Sequence, residues 1–184
     1  MPAPEPTAPP GPRVSRRAVL GGLAAAATAP WLLSDAQPAE AQAAGTVAAD
    51  FIARQMHIAI PLGGGNVMVA GGVSADGTPL SDVVYYTSTG TLYALPPLNT
   101  ARYAAAGVLI TYGRVLVLGG TQDGVTPLSD VEVYDPVNNA WTETTPLQTA
   151  RFNHMAARTV SNQALITGGY DGATVLYDPE TYYF

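Results

Sequence analysis

Three arginines recur at a nearly constant interval and are the residues best suited to hold an acidic or sugar ligand. Arg54, Arg102 and Arg151 are separated by 48 and 49 residues, and each follows an alanine. A guanidinium group presents several N–H donors in one plane, so it can pair with a carboxylate or with sugar hydroxyls. The same donors also suit backbone carbonyls. Ligand binding is therefore one hypothesis for these arginines, and tying the chain together is the alternative.

Three aspartates form a second repeated set, because Asp76, Asp123 and Asp171 each precede a glycine. A calcium loop needs several alternating oxygen ligands, and the segment "DGVTPLSD" does not supply them. Turn formation explains these aspartates adequately. We keep them as candidate ligand contacts in loops.

Two histidines, His57 and His154, each lie three residues after an arginine, whereas Ala105 stands at that position in between. Two such histidines could share a metal, but a packed, hydrogen-bonded histidine is the more common case. The sequence has no cysteine, no HExxH motif, no phosphate loop and no Ser-His-Asp order. We predict no metal, no cofactor and no catalytic residue.

The elements that must position these residues are short β-strands in a repeated unit. Paired glycines recur at the same interval, at Gly71-Gly72, Gly119-Gly120 and Gly168-Gly169. Large aromatic residues follow the glycines, at Tyr86, Tyr134, Tyr177 and Trp141. Apolar and polar residues alternate in runs such as "SDVEVYD", which predicts half-buried strands separated by Asp-Gly and Asp-Pro turns. A period in the high forties is typical of a repeat architecture.

The second unit resembles the kelch repeat. It carries the glycine pair, then Tyr134-Asp135-Pro136, then Trp141 and a Pro-Leu-x-x-Ala-Arg segment that ends at Arg151. The first unit departs from the pattern, with Thr87-Ser88 in place of Asp-Pro and Tyr93 at the tryptophan position.

The third unit resembles the repeat in part. It has Tyr177-Asp178-Pro179, after a loop shorter by six residues, and we place Phe184 at the tryptophan position.

The resemblance implies an all-β partial kelch β-propeller with two full four-stranded blades and an incomplete third. We expect the repeats to span 53–184, as units 53–100, 101–149 and 150–184. Residues 44–52 would be a linker or a closing strand. A chain with so few blades is expected to be a fragment of a longer propeller or to self-associate.

The resemblance also implies where the candidate residues lie. Arg54, Arg102 and Arg151 would begin the innermost strand of each blade, near one mouth of a central channel. Copper oxidases among kelch propellers use a tyrosine crosslinked to cysteine, and this chain has no cysteine. Another relative is a sialic-acid mutarotase, whose activity needs a full ring and a pocket acid.

The first 43 residues are interpreted as an export signal. Arg16 and Arg17 precede a 16-residue apolar stretch, which is too short for a typical membrane span. Ser15 before them and Leu20 after them resemble the twin-arginine (Tat) signal. An ordinary secretory signal and an uncleaved anchor are the alternatives. Cleavage near Ala43 would release a periplasmic or extracellular protein with no further membrane span.

Composition narrows the function. The formal net charge is −6, and the eight basic residues are all arginines without a cluster, which disfavours nucleic acid. The leading hypothesis is an exported binding module for a glycan or a protein. The alternatives are a sugar-processing enzyme of the mutarotase type, with arginines as the substrate clamp, and a structural protein of a surface array.

Overall fold

A computed structural model describes residues 53–159 and 162–184, which form three stacked antiparallel sheets. Apart from a 3-10 turn at Thr111–Gly113, these residues contain no helix, and none of them belongs to a helix able to cross a membrane. The predicted all-β class is confirmed. The predicted export signal at 1–43 and the linker or closing strand at 44–52 lie outside the described residues.

The three sheets follow one another along the chain, and their strands are as follows. The first sheet, in spatial order β2-β3-β5-β6, consists of β2 (Ile58–Gly63), β3 (Asn66–Ala70), β5 (Val83–Tyr86) and β6 (Leu92–Leu95). The short β1 (Arg54–Gln55) pairs with β4 (Val73–Ser74) beside it. The second sheet consists of β7 (Ala106–Leu109), β8 (Val115–Leu118), β9 (Val131–Asp135) and β10 (Ala140–Thr144). The third sheet consists of β11 (Phe152–Arg158), β12 (Gln163–Tyr170) and β13 (Glu180–Tyr183).

Alternation along the strands explains the stacking. In β3 the residues Asn66, Met68 and Ala70 are buried, and the residues between them are only partly buried. Because successive side chains point to opposite faces, each sheet offers one apolar face to its neighbour. One core lies between the first and second sheets and another lies between the second and third. Two complete four-stranded sheets and a three-stranded one match the predicted incomplete third blade.

The register of the third sheet corrects the position of its tyrosine. In the second sheet Tyr134 pairs with Val115. Counted from the glycine pairs, Ala164 corresponds to Val115, and its partner is Tyr182. Tyr177 lies in the preceding loop and is 90% exposed. Tyr182 therefore takes the place that the Tyr-Asp-Pro pattern had assigned to Tyr177, and the loop is one residue shorter, not six.

The same register corrects two other assignments. Phe184 comes two residues after Tyr182, so it cannot correspond to Trp141, which comes seven after Tyr134. In the first sheet Tyr86 pairs with Leu92, as Tyr134 pairs with Trp141. Leu92, rather than Tyr93, therefore stands at the tryptophan position, because the turn before it is one residue shorter.

Candidate functional site

The guanidinium group of Arg102 lies inside the protein and is held by four acceptors. Nη1 donates to the carbonyl oxygens of Gly119 at 2.9 Å and Asp130 at 3.1 Å, and Nε donates to that of Thr100 at 3.2 Å. Nη2 is 2.7 Å from the carboxylate of Glu132. Neither side chain of this ion pair is exposed to solvent. Four of the five N–H donors of the guanidinium thus have protein acceptors.

Glu132 links the arginine to the segment between the first two sheets. Its side chain extends from β9, and its carboxylate accepts the backbone N–H groups of Asn99 at 2.7 Å and Thr100 at 3.1 Å. The segment that enters the second sheet is therefore attached to that sheet by one buried carboxylate and one buried cation. A buried charge is tolerated only with such pairing and hydrogen bonding.

The third sheet repeats this arrangement. Nη2 of Arg151 is 3.2 Å from the carboxylate of Glu180, and Nη1 donates to the Gly168 carbonyl at 3.1 Å. Glu180 accepts the backbone N–H groups of Gln148 at 2.6 Å and Thr149 at 3.4 Å. Thr149, Gly168 and Glu180 thus repeat the Thr100, Gly119 and Glu132 partners one unit later, so the second and third units share the arrangement.

The first sheet has a weaker version. Arg54 donates to the carbonyls of Gly71 at 2.9 Å and Asp82 at 3.3 Å, and its ion pair with the Asp82 carboxylate spans 3.7 Å. Val84 stands where the later sheets have their glutamate. Burial lowers the pKa of Arg54, and the Asp82 charge acts in the opposite direction.

Sequence reasoning did not single out Glu132 and Glu180. They are 48 residues apart, the interval of the repeat, and this spacing was the signal available. This spacing was overlooked because Tyr177 was placed at the tyrosine position, which put Glu180 in a turn. The contacts of Arg102 and Arg151 are those expected of arginines that tie the chain together. A ligand-binding role for the three arginines stays a prediction.

The paired glycines lie where each unit meets the next. Gly72 donates its N–H to the Arg102 carbonyl at 2.9 Å, and Gly120 donates to that of Arg151 at 2.9 Å. A Cβ atom at Gly119 would lie 2.5 Å from the Arg151 carbonyl oxygen, and the φ of Gly119 is +57°. Glycine is required there by the close approach and by the left-handed backbone.

The loops between the second and third strands of each sheet form one side of the molecule, which we call the loop face. It consists of the loops 73–80, 121–128 and 171–178. The first and second loops adjoin the segments that enter the next sheet, through hydrogen bonds from the Arg102 N–H to Leu80 and from the Arg151 N–H to Leu128. The third loop touches the second, since a Cβ at Gly172 would lie 3.3 Å from Pro127.

The three candidate aspartates organise these loops. The Asp123 carboxylate accepts backbone N–H groups from Val125 at 2.9 Å and Thr126 at 2.7 Å. These bonds hold the pKa of Asp123 well below its ordinary value. Asp171 and Asp76 accept similar local bonds, and their pKa values are lowered for the same kind of reason. Each aspartate closes a turn, and a direct ligand contact stays a prediction.

Three apolar side chains project from the loop face into solvent. Val125 is 69% exposed, Val175 is 61% exposed and Tyr177 is 90% exposed. The backbone of Val125 is held by Asp123, and Val175 directly follows the turn that Asp171 closes. Tyr177 lies two residues further along the same loop. This arrangement can offer apolar contacts in an acidic setting to another macromolecule.

The two histidines have different surroundings. His57 is exposed, whereas His154 is 4% exposed and packs against the second sheet beside Gly119. Burial, with a contribution from Arg151, lowers the pKa of His154 to about 4, while the Leu118 backbone acts in the opposite direction. Within 53–159 and 162–184, no three histidine or acidic side chains are grouped to hold a metal.

The comparison with protein families concerns the second unit. Residues 102–148 match the family model of the Kelch motif. That range contains the buried Arg102–Glu132 pair and the whole second sheet. This part of the chain is therefore similar to a kelch repeat, which suggests a protein-interaction module. No curated protein matches the chain.

Proposed function

We propose that this protein is a binding module that holds a protein partner on the loop face. The observation that carries the proposal is the set of three exposed apolar side chains, Val125, Val175 and Tyr177, in the loops that Asp123 and Asp171 organise by hydrogen bonds. Apolar groups fixed in a rigid, exposed setting are what a protein interface uses as anchors.

The chemistry of the partner follows from that of the face. Asp123 and Asp171 stay ionised because their hydrogen bonds lower their pKa values, and the whole chain carries a net charge of −6. An apolar partner surface bordered by arginine or lysine would match this combination, since complementary charge speeds encounter and fixes orientation. Two valines beside one tyrosine favour a protein over a glycan, which would need aromatic platforms and polar side chains with free donors.

Export remains part of the proposal. Arg16 and Arg17 before a short apolar stretch support transport by the Tat route to the periplasm or beyond. A partner would then be an exported or surface protein.

The enzyme alternative has less support. It needs an arginine and an acid converging in a pocket that a sugar can enter. Arg102 and Glu132 do converge, but both side chains are wholly buried. An open cleft of about 410 Å³ runs along β13, and there Arg151 is already engaged by Glu180. Glycan binding is retained as an outcome of the test below.

The proposal is tested by selecting peptides from a displayed random library on the immobilised chain and then measuring their affinity for variants. Val125→Asp combined with Tyr177→Ser should weaken the selected peptides at least tenfold. Val137→Asp, at an exposed valine in a turn on the opposite side, should leave them unchanged. Peptides that respond only to Val137→Asp would contradict the loop face. Selection of no peptide, together with binding on a glycan array, would contradict the protein partner.

A further inference from the structure

The first and second sheets stack by a large-to-small fit. Ile58 and Ile60 of β2 lie over Gly107 of β7, where a Cβ atom would collide with both isoleucines. The second and third sheets stack in the same sense, with Val108 and Leu116 on one side and Ala164 on the other. Each sheet therefore has a forward face toward the following sheet and a backward face toward the preceding one.

One forward face and one backward face have no neighbour among the described residues. On the forward face of the third sheet Met155 is 74% exposed, Tyr183 is 71% exposed and Leu165 is 36% exposed. Leu116, which corresponds to Leu165 in the second sheet, is 1% exposed. The backward face of the first sheet presents Ala59, also exposed, at the position of Gly107.

The surroundings of the glycine pairs differ between the third sheet and the first two. A Cβ atom at Gly119 would meet the Arg151 carbonyl at 2.5 Å and the His154 ring at 2.9 Å. A Cβ atom at Gly71 would meet the Arg102 carbonyl at 2.5 Å. A Cβ atom at Gly168 would meet nothing within 4 Å in the described part of the chain. Over the first two sheets an arginine carbonyl fills this place, whereas over the third no described residue does.

The matching group is on the same chain. His57 stands three residues after Arg54, as His154 stands three after Arg151, and His57 is exposed while His154 is buried. The face that could cover Gly168 is thus the backward face of the first sheet, which carries an arginine carbonyl and a histidine at the right interval.

We infer that two copies of this chain associate head to tail, with the forward face of the third sheet of each packed on the backward face of the first sheet of the other. The second copy's Arg54 and His57 then cover Gly168. The side-chain sizes are also complementary. Ala59 is larger than Gly107, to which it corresponds. It would face Met155 and Ala157, which stand in place of Ile58 and Ile60.

Two copies make a closed set. Each copy contributes one forward face and one backward face that no described residue covers, so two equivalent contacts use all four. The total is six sheets, within the four to eight of known propellers. This inference does not depend on the proposed function, because it is argued from the sheet faces and from Gly168, and not from the exposed side chains of Val125, Val175 and Tyr177.

Disulfide trapping tests the contact without disturbing the fold. The chain has no cysteine, so a Met155→Cys and Ala59→Cys double variant carries the only two thiols. These positions correspond to Ile58 and Gly107, whose side-chain positions touch between the first and second sheets. After mild oxidation we expect a covalent dimer on a non-reducing gel. The Ala59→Cys and Val137→Cys control should remain a single chain.

Two single-cysteine variants separate the inference from its rivals. Met155→Cys alone, or Ala59→Cys alone, should not crosslink, whereas a symmetric contact between like faces would crosslink one of them. Light scattering of the uncrosslinked full chain should give twice the mass of one chain. A monomer by light scattering, a single-cysteine dimer, or a ladder beyond two chains would each overturn the inference.

Discussion

Nη2 of Arg102 lies 2.7 Å from Oε1 of Glu132, and neither side chain is exposed to solvent. This ion pair joins the second sheet to the segment that enters it. Arg151 and Glu180 repeat the relationship one unit later. The fold therefore depends on charges placed where the chain passes from one sheet to the next. None of these four side chains belongs to the loop face.

Removing one partner of the buried pair should be costly. Glu132→Leu leaves a desolvated guanidinium and two backbone N–H groups without an acceptor, and we expect the free energy of unfolding to fall by about 3 to 5 kcal/mol. Arg114→Leu, in the exposed pair with Asp135, should cost less than about 1 kcal/mol. Chemical denaturation at one protein concentration measures both, and equal losses would contradict the difference in burial.

The corrected register predicts that two tyrosine substitutions differ greatly in their effect on stability. Tyr182 is 6% exposed, and its hydroxyl donates to the Thr145 carbonyl at 2.8 Å. Tyr182→Ala should lower the free energy of unfolding by about 3 kcal/mol, because it leaves a cavity and removes a hydrogen bond. Tyr177→Ala should change it by less than about 0.5 kcal/mol. Thermal or urea unfolding decides, and a larger loss from Tyr177→Ala would restore the sequence-based assignment.

The close approach at Gly119 predicts a steric penalty beyond that of its backbone angle. Gly77 shares a positive φ, but a Cβ atom there meets nothing within 4 Å. Gly77→Ala should therefore cost only the roughly 1 kcal/mol of a left-handed alanine. Gly119→Ala must also displace the Arg151 carbonyl, which should add about 1 to 3 kcal/mol. Equal unfolding midpoints for the two variants would argue against the contact between units.

Acid should destabilise the protein through His154. Its pKa is about 4 in the folded state against 6.5 for an ordinary histidine, so the unfolded chain binds more protons between these values. Stability should be full above pH 6.5 and should fall as the pH drops toward 4, by at most about 3 kcal/mol.

The contribution of His154 can be isolated. His154→Ala places there the residue type of Ala105 in the second sheet and should flatten the stability profile between pH 6.5 and 4. The aspartates with lowered pKa values act below that window, so their effect is separate. An unchanged slope in the variant would show that another group is responsible.

The proposed export signal predicts that transport depends on both Arg16 and Arg17. A reporter fused after residue 44 should cross the membrane by the Tat route, and Arg16→Lys with Arg17→Lys should block it because that machinery reads the arginine pair. Fractionation of cells shows where the reporter lies. Unchanged export of the double variant would identify an ordinary secretory signal instead.

Local patterns in the sequence determined much of the architecture. The alternation of apolar residues, the Asp-Gly turns and the paired glycines predicted an all-β chain with four strands in each of two units and an incomplete third. The alternation and the turns depend on residues close to one another in sequence, so local preferences are enough to predict them.

Tertiary structure decided the third unit and the partners of the arginines. Tyr177 and Tyr182 were both candidates for the tyrosine position after Gly168-Gly169, and the Tyr-Asp-Pro pattern favoured Tyr177. Loop length costs little free energy, so the pattern could not decide between them. The pairing of β13 with β12 decides between the two tyrosines, because only the observed register places Glu180 against Arg151 and buries Tyr182. Moving the strand by five residues, an odd number, would have turned its buried side chains toward the opposite face.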